Sequence, residues 1–361
     1  MKANMSILKE HSWRRMALNK VKGVMGCAPL ATGVDWGSRM MKTVVLQPDR
    51  HVVMLHDFSV NSVPHPSLPN DPSDAELVET IRNKISVPIR TIGTALSGPS
   101  VFIKAITLPV MTEEDVRNHL TLELDRYIAF DAQDVFWDVY HQEPLPDDTI
   151  QSPKTFLVVA KKDCVERQIK AFAQGGATVS FVDVDAFALT NLVTHNYGKE
   201  GIWLLVHIGP TGMVMVVIDQ GEPAVIRKTS YEAEWYGDLL DQVLLARTSL
   251  ESIGELGASE TLLLEQFQKE TRGQIFEMVE SYSDYSHAVI DKGILLSGGY
   301  AVVPQMAATL AASLSLPVQL LDPFQYIMVP QAIQQSEVFQ QAAPLMGVAV
   351  GVALRGALSH D

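Results

Sequence analysis

The stretch GVDWGSRMMKTVVL, residues 33–46, reads as an apolar strand, a tight turn and a second apolar strand. Gly37 and Ser38 make the turn. Such a turn presents backbone N–H groups, and glycine lets an anion approach the chain closely. Asp35 stands just before it, placed to hold a metal-bound water. Gly37 and Ser38 can cradle a phosphate through N–H and hydroxyl, and Lys42 can reach back from the second strand to neutralise charge. The stretch VHIGPTGMVMVVID, residues 206–219, repeats the design, with Gly209, Thr211 and Gly212 in its turn. Two such turns facing each other could grip a polyphosphate from both sides. A third glycine element, LLSGGYAVVP at 295–304, follows a strand and precedes a helix. There Gly298 and Gly299 let a flat base lie against backbone.

Outward from the first hairpin, VVMLHDF follows Pro48-Asp49-Arg50 as a third strand, and the Pro-rich residues 61–73 read as a loop. Ser73 or Asp74 caps the helix that follows. Residues 94–176 alternate strands and helices as a compact insertion, in which Thr112 and Asp115 form a near capping box ahead of Val116, Leu120, Leu124 and Ile128 at helical spacing. VSFVDVDAF is a strand running into a helix that ends near Asn196, two strands fill 202–218, and 232–287 is helical throughout. A strand at Ile294–Leu296 ends in Ser-Gly-Gly, a helix covers AVVPQMAATLAASLSL, PVQLLD is a strand, and APLMGVAVGVALRG is a closing helix. Long helical patterns between β-hairpins predict an α/β protein with mixed sheets. Gly347 and Gly351 form G-x-x-x-G in a short helix, which predicts close helix packing rather than a membrane dimer. Trp137 and Tyr140 either line a peptide groove on the insertion or pack in its core.

The composition supports a folded protein. Of 361 residues, 47% are hydrophobic and 19% charged, enough apolar surface to offset the entropy of ordering. At about 100–200 residues per domain this length predicts two domains or one divided one. A formal net charge of −14 repels phosphate backbones and argues against a general nucleic-acid binder. Residues 1–30 run the other way, with Lys2, Lys9, Arg14, Arg15, Lys20 and Lys22 against Glu10 alone. They read as a membrane-surface or partner-binding arm, or as a mobile extension. Cys27 and Cys164 are the only cysteines, which fits a reducing compartment. His51, His56 and His65 lack ligand spacing. Gly209, Pro210 and Gly212 break the apolar run 201–218, and the run 344–354 is too short to span a bilayer, so no transmembrane helix is expected.

The motif D-x-G-S-x-x-x-K at 35–42, the second glycine hairpin with Thr211, and S-G-G before a helix together resemble the phosphate and adenosine motifs of the actin-like ATPase superfamily. Within it the chain is similar to the PilM family of type IV pilus assembly proteins, itself similar to the cell-division protein FtsA. The segments ITLPVMTEEDVRNHLTLELDRYIAFDAQDVFWDVY, VVAKKDCVERQIKAFAQGGATVSFVDVDAFAL, ILLSGGYAVVPQMAATLAASLSLPVQLLDPF and MGVAVGVALRG carry this likeness across most of 33–356.

The resemblance implies duplicated ribonuclease-H-like domains with an FtsA-like insertion. Residues 1–30 become a basic extension. Residues 31–94, 177–197 and 324–361 form subdomain 1A, with 95–176 the inserted 1C. Residues 198–231 and 290–323 form 2A, and 232–289 the helical 2B. It implies ATP or ADP held by Asp35, Gly37, Ser38, Lys42, Gly209, Thr211, Gly298 and Gly299, with Mg²⁺ at Asp35. One departure stands out. The second phosphate hairpin in the superfamily begins Asp-x-Gly, whereas here it begins His207-Ile208-Gly209. A neutral imidazole helps a hard cation less than a carboxylate does, so hydrolysis is expected to be weak or absent. Asp183 and Asp185 are the remaining carboxylates that could orient a water. The implied partner is the N-terminal cytoplasmic tail of a PilN-like inner-membrane protein, docked between 1A and 1C, which would hold a cytoplasmic protein at the inner-membrane pilus complex. The alternatives are an ATP-hydrolysing enzyme, a self-associating filament former of the FtsA kind, and the cytoplasmic actin-like domain of a type II secretion protein.

Overall fold

The computed structural model describes residues 30–49, 52–63, 74–86, 90–142, 154–210, 212–231, 258–303 and 305–358. Most of the basic extension, Cys27, Thr211, and residues 232–257 of the expected helical region lie outside them.

Two sheets share one topology. In the first, β1 (Ala31–Trp36), β2 (Met40–Asp49) and β3 (Val52–Ser62) form an antiparallel meander. β4 (Thr91–Leu96) and then β8 (Thr178–Val184) extend it in parallel from β1, and β14 (Ile327–Met328) closes the far edge beside β3. In the second, β9 (Ile202–Gly209), β10 (Gly212–Asp219) and β11 (Glu222–Ser230) form the meander, and β12 (Gly293–Ser297) and β13 (Val318–Leu320) extend it in parallel from β9. The duplication extends to a defect. β2 slips against β3 between Val45 and Leu46, and β10 slips against β11 between Val217 and Ile218, at equivalent places. A bulge adds one residue and turns the following side chains to the other face.

Two helices fill the space between the sheets. α4 (Asp185–Tyr197) and α9 (Gly347–Leu358) put Leu189, Leu192, Val350 and Val352 into a core with Val44 and Leu46 of β2 and Leu205 and Val216 of β9 and β10. Two glycines set the approach. A Cβ on Gly33 would lie 2.1 Å from the carbonyl oxygen of Ala349, and one on Gly351 would lie 1.9 Å from that of Ala188. The G-x-x-x-G of the last helix is thus a soluble helix contact. On the outer face of the first sheet, α1 (Asp74–Lys84) and α3 (Lys162–Gln174) cover Val34, Met41 and Val45 with Leu77, Val78 and Phe172. On the outer face of the second, α5 (Ala258–Ser286) and α6 (Met306–Leu314) cover Leu204, Val206 and Met215 with Phe267, Met278 and Leu310.

Between β4 and β8 the chain makes a third sheet in the order β5-β7-β6, all antiparallel, from β5 (Val101–Ile106), β6 (Val135–His141) and β7 (Thr155–Lys161). α2 (Glu113–Glu123) packs Val116 and Leu120 on it. Thr112 caps α2 as expected, accepting the Asp115 N–H at 3.2 Å.

Some local expectations fail. β3 continues to Ser62, into the stretch read as loop. The helix expected from Ala301 starts only at Met306, because Gly299–Val302 is a 3-10 turn and Gln305 is left-handed at φ 63°. β14 and the short helices α7 (Gln331–Gln334) and α8 (Glu337–Ala342) were not expected. Among the described residues no single helix is long and apolar enough to cross a membrane.

Candidate functional site

The first hairpin folds as its sequence predicts. Asp35 and Lys42 are register partners across β1 and β2, and the Lys42 ammonium donates to Asp35 Oδ2 at 2.8 Å. Asp35 is 4% exposed, so its carboxylate is nearly dry. The Gly37 N–H donates to the Met40 carbonyl at 3.0 Å and closes the turn, with Ser38 exposed at its tip. A Cβ on Gly37 would sit 3.4 Å from Lys42 Nζ, so the glycine keeps the space over that ammonium open.

The second hairpin matches in backbone and differs in chemistry. His207 takes the place of Asp35, and Val214, its register partner, takes the place of Lys42. The cation appears one strand further out. Lys228 of β11 is the register partner of Val214, and its ammonium lies 3.4 Å from both carboxylate oxygens of Asp185. Asp185 opens α4, where its Oδ1 accepts the Ala186 N–H at 2.9 Å. His207 is half-buried, with Nδ1 3.2 Å from the Ser297 hydroxyl. Past Ser297, Gly298 turns at φ 92°, where a Cβ would strike the Ile208 carbonyl oxygen at 2.3 Å, so the Gly298-Gly299 turn seats directly on the second hairpin.

These groups lie close enough for His207 to feel the charges of Asp35, Lys42, Asp185 and Lys228, and the space they share is the candidate cleft. Burial lowers the His207 pKa from its usual 6.5. Asp185 and Asp35 oppose that shift, and Lys42 and Lys228 add to it. The imidazole therefore stays neutral where a free one is half-charged. A sign follows. The unfolded chain binds a proton at His207 near its usual 6.5 and the folded chain resists it, so this stability is full above 6.5 and is lost as pH falls toward the depressed value. His195, also lowered by burial, acts in the same direction. The denaturant midpoint is expected to fall between about pH 7.5 and about pH 5, with His207→Asn flattening part of that fall. An unchanged slope in the variant contradicts the assignment.

Of the two further carboxylates, Asp185 joins the cleft and Asp183 does not. Asp183 lies on the same face as Asp35, two strands away across Ala95. There Arg355 of α9 takes it at 2.8 Å, with the guanidinium 5.0 Å over the Phe181 ring. Lys228 was missed in the sequence. The bulge at Val217/Ile218 is what turns it inward, while Arg227 faces α5, bonded to Glu277 at 3.0 Å. Trp137 packs into the core of the inserted lobe. Tyr140 instead ties that lobe to the second sheet, stacked 5.2 Å from Phe187 of α4 and donating its hydroxyl to Glu222 of β11.

Glycine turns at Gly37 and Gly209 beside the ammonium groups of Lys42 and Lys228 are a donor set whose chemistry suits a polyphosphate. A resident Mg²⁺ fits less well. The Asp35 carboxylate is committed to Lys42, and the equivalent wall residue is an imidazole. Among the described residues no group of three or more His, Cys, Asp or Glu could hold a metal ion.

Two sheets of one topology, closed on a shared helix pair, define an actin-like fold. Residues 33–357 match the family described as type IV pilus assembly protein PilM, and the chain belongs to that family. Among solved structures it is similar to a chain of the PilM-PilN type IV pilus biogenesis complex, at 20% identity and a TM-score of 0.72, covering 91% of this chain and 98% of that one. The ethanolamine utilization protein EutJ from Carboxydothermus hydrogenoformans matches at 14% identity and a TM-score of 0.47, covering 91% and 90%. The cytoplasmic domain of EpsL, an inner-membrane component of the type II secretion system of Vibrio cholerae, matches at 12% identity and 0.39, covering 63% and 79%.

Proposed function

We propose that this chain is a scaffold of type IV pilus assembly. It binds ATP or ADP in the cleft and docks the N-terminal cytoplasmic tail of a PilN-like inner-membrane protein, which holds it at the inner membrane. The observation that carries the reading is family membership over 33–357 together with fold likeness to a chain of the PilM-PilN complex. In this reading 95–176 is the inserted subdomain 1C, and the tail lies between it and subdomain 1A. Residues 31–94, 177–197 and 324–361 make up 1A, with 198–231 plus 290–323 as 2A and 232–289 as 2B.

The nucleotide supplies a polyphosphate charge that bridges the two halves. The chain's own groups do the rest. The exposed turn at Ser38 offers amide and hydroxyl donors, Gly37 keeps the space over Lys42 open, Lys42 offers charge, Gly209 and Thr211 are assigned to the phosphates from the opposite hairpin, and Gly298 and Gly299 to the base. Among the described residues, the carboxylates near the cleft each hold a cation: Asp35 holds Lys42, Asp185 holds Lys228, and Asp183 holds Arg355. None is left to orient an attacking water, so turnover is expected to be slow. A ligand bound to both halves stabilises the closed form and with it the shape of the tail groove.

Calorimetric titration of the PilN-like tail peptide, with ATP and Mg²⁺ present, tests this. Micromolar or tighter binding is expected. No binding to protein shown to be folded overturns the docking reading, and rapid ATP turnover or filaments in the electron microscope would favour an enzyme or a cytoskeletal polymer.

A further inference from the structure

The two sheets present equivalent rows of residues toward the cleft. Across β1, β2 and β3 the row is Asp35, Lys42, Val60; across β9, β10 and β11 it is His207, Val214, Lys228. The acidic residue of the second row is gone, and a lysine has entered from a different strand. We infer that Lys228 is a second phosphate-holding cation, and that Lys42 and Lys228 together hold the polyphosphate of ATP or ADP without a divalent metal ion. This rests on the nucleotide reading above and goes beyond it.

Three observations carry the inference. First, both lysines are positioned and not spent. Their side chains are 16% and 19% exposed beside carboxylates only 5% and 2% exposed, so the lysine is the more accessible member of each pair. Lys228 meets Asp185 at 3.4 Å from both oxygens, the long limit of a hydrogen bond, and an ammonium has three protons to give. Second, the register is built for it. The bulge between Val217 and Ile218 puts Lys228 opposite Val214; without that slip Arg227 would stand there. Third, the charge balance leaves little for a divalent ion to do. Asp35 and Asp185 are each matched by a lysine, and the His207 imidazole, which feels both, is kept neutral by burial. Among the described residues, a divalent cation entering here meets two ammonium groups and no carboxylate without a cation beside it.

The test is ATP and ADP binding to the full chain, measured by calorimetry in Mg²⁺ and again in EDTA. Wild-type affinity is expected to differ by less than about threefold between the two, and Lys228→Met to weaken it by about tenfold or more in both. Because Lys228→Met strands the Asp185 carboxylate, Lys228→Met/Asp185→Asn is measured beside it as a charge-balanced variant, with a thermal melt for folding; the same loss is expected. Arg227→Met removes one positive charge from the outward face of the same strand and is expected to bind as wild type. His207→Asp restores the acid and is expected to make binding depend on Mg²⁺. A wild-type affinity that drops about tenfold in EDTA, or charge-balanced Lys228 variants that bind as wild type, overturns the inference and leaves nucleotide binding standing. No nucleotide binding in either buffer overturns both.

Discussion

Gly351→Ala is expected to lower stability by about 3 kcal/mol or more, while Gly356→Ala on the same helix is neutral or stabilising by up to about 1 kcal/mol. Intrinsic helix propensity favours both changes equally, because alanine costs less backbone entropy than glycine in a helix. The surroundings decide. At Gly351 a Cβ would stand 1.9 Å from the Ala188 carbonyl oxygen and 2.5 Å from its carbon, both backbone atoms of α4. No rotamer change relieves that contact, so α4 and α9 must move apart. Those two helices carry the core between the sheets, where Leu189, Leu192, Val350 and Val352 are fully buried. Parting them opens space that neither sheet can fill. At Gly356 the nearest atoms are Ala31 Cβ and Phe181 Cε1, both 3.6 Å away at ordinary contact distance. Chemical denaturation of the two variants reads the difference directly, and equal midpoints would refute the helix-contact argument.

The same contrast shows what could be read from the chain alone. The hairpins at 33–46 and 206–219 were legible because apolar strand patterning and glycine turns are local signals, joined in the first by a lysine seven residues after Asp35. The helix after Thr112 was legible for the same reason, since its cap and its acidic first turn lie within a few residues. The late start of α6 was not, because 301–316 is helix-rich in composition, yet it begins in the 3-10 turn Gly299–Val302 and passes through the left-handed Gln305. β14 was not, because its two residues are a strand only by pairing with Val53 and Met54 of β3. In the cleft, Asp35, Gly37 and Lys42 sit on one hairpin and could be assigned together. Lys228 could not, since PAVIRKTSY shows two adjacent cations and a one-residue bulge decides which faces inward. Asp183 and Asp185 were equivalent in sequence, one residue apart from a shared neighbour. Their partners, Arg355 and Lys228, come from distant strands and helices and separate them.

That separation yields the second large effect. Arg355→Met is expected to cost about 3 kcal/mol or more, and adding Asp183→Asn to recover at least about half of it. The Asp183 carboxylate is 3% exposed and its ion-pair partner is Arg355, at 2.8 Å. Removing the guanidinium leaves a charge in a site from which water is excluded, and also removes the packing over Phe181 at 5.0 Å. Asparagine in place of the acid removes the stranded charge but not the lost packing, so recovery is partial. The Asp35–Lys42 pair is an informative counterpart, since it lies in the same row of the same sheet with a carboxylate 5% exposed. Lys42→Met and Lys42→Met/Asp35→Asn are expected to follow the same pattern in denaturation. Nucleotide titration parts the two pairs. The Arg355→Met/Asp183→Asn protein is expected to bind ATP as wild type does, whereas Lys42→Met/Asp35→Asn loses about tenfold or more, because only that pair places an ammonium beside the Gly37 turn. Were both doubles to lose nucleotide alike, Asp183 would belong to the cleft after all, and the division drawn between a pair that holds the last helix in place and a pair that holds phosphate would fail.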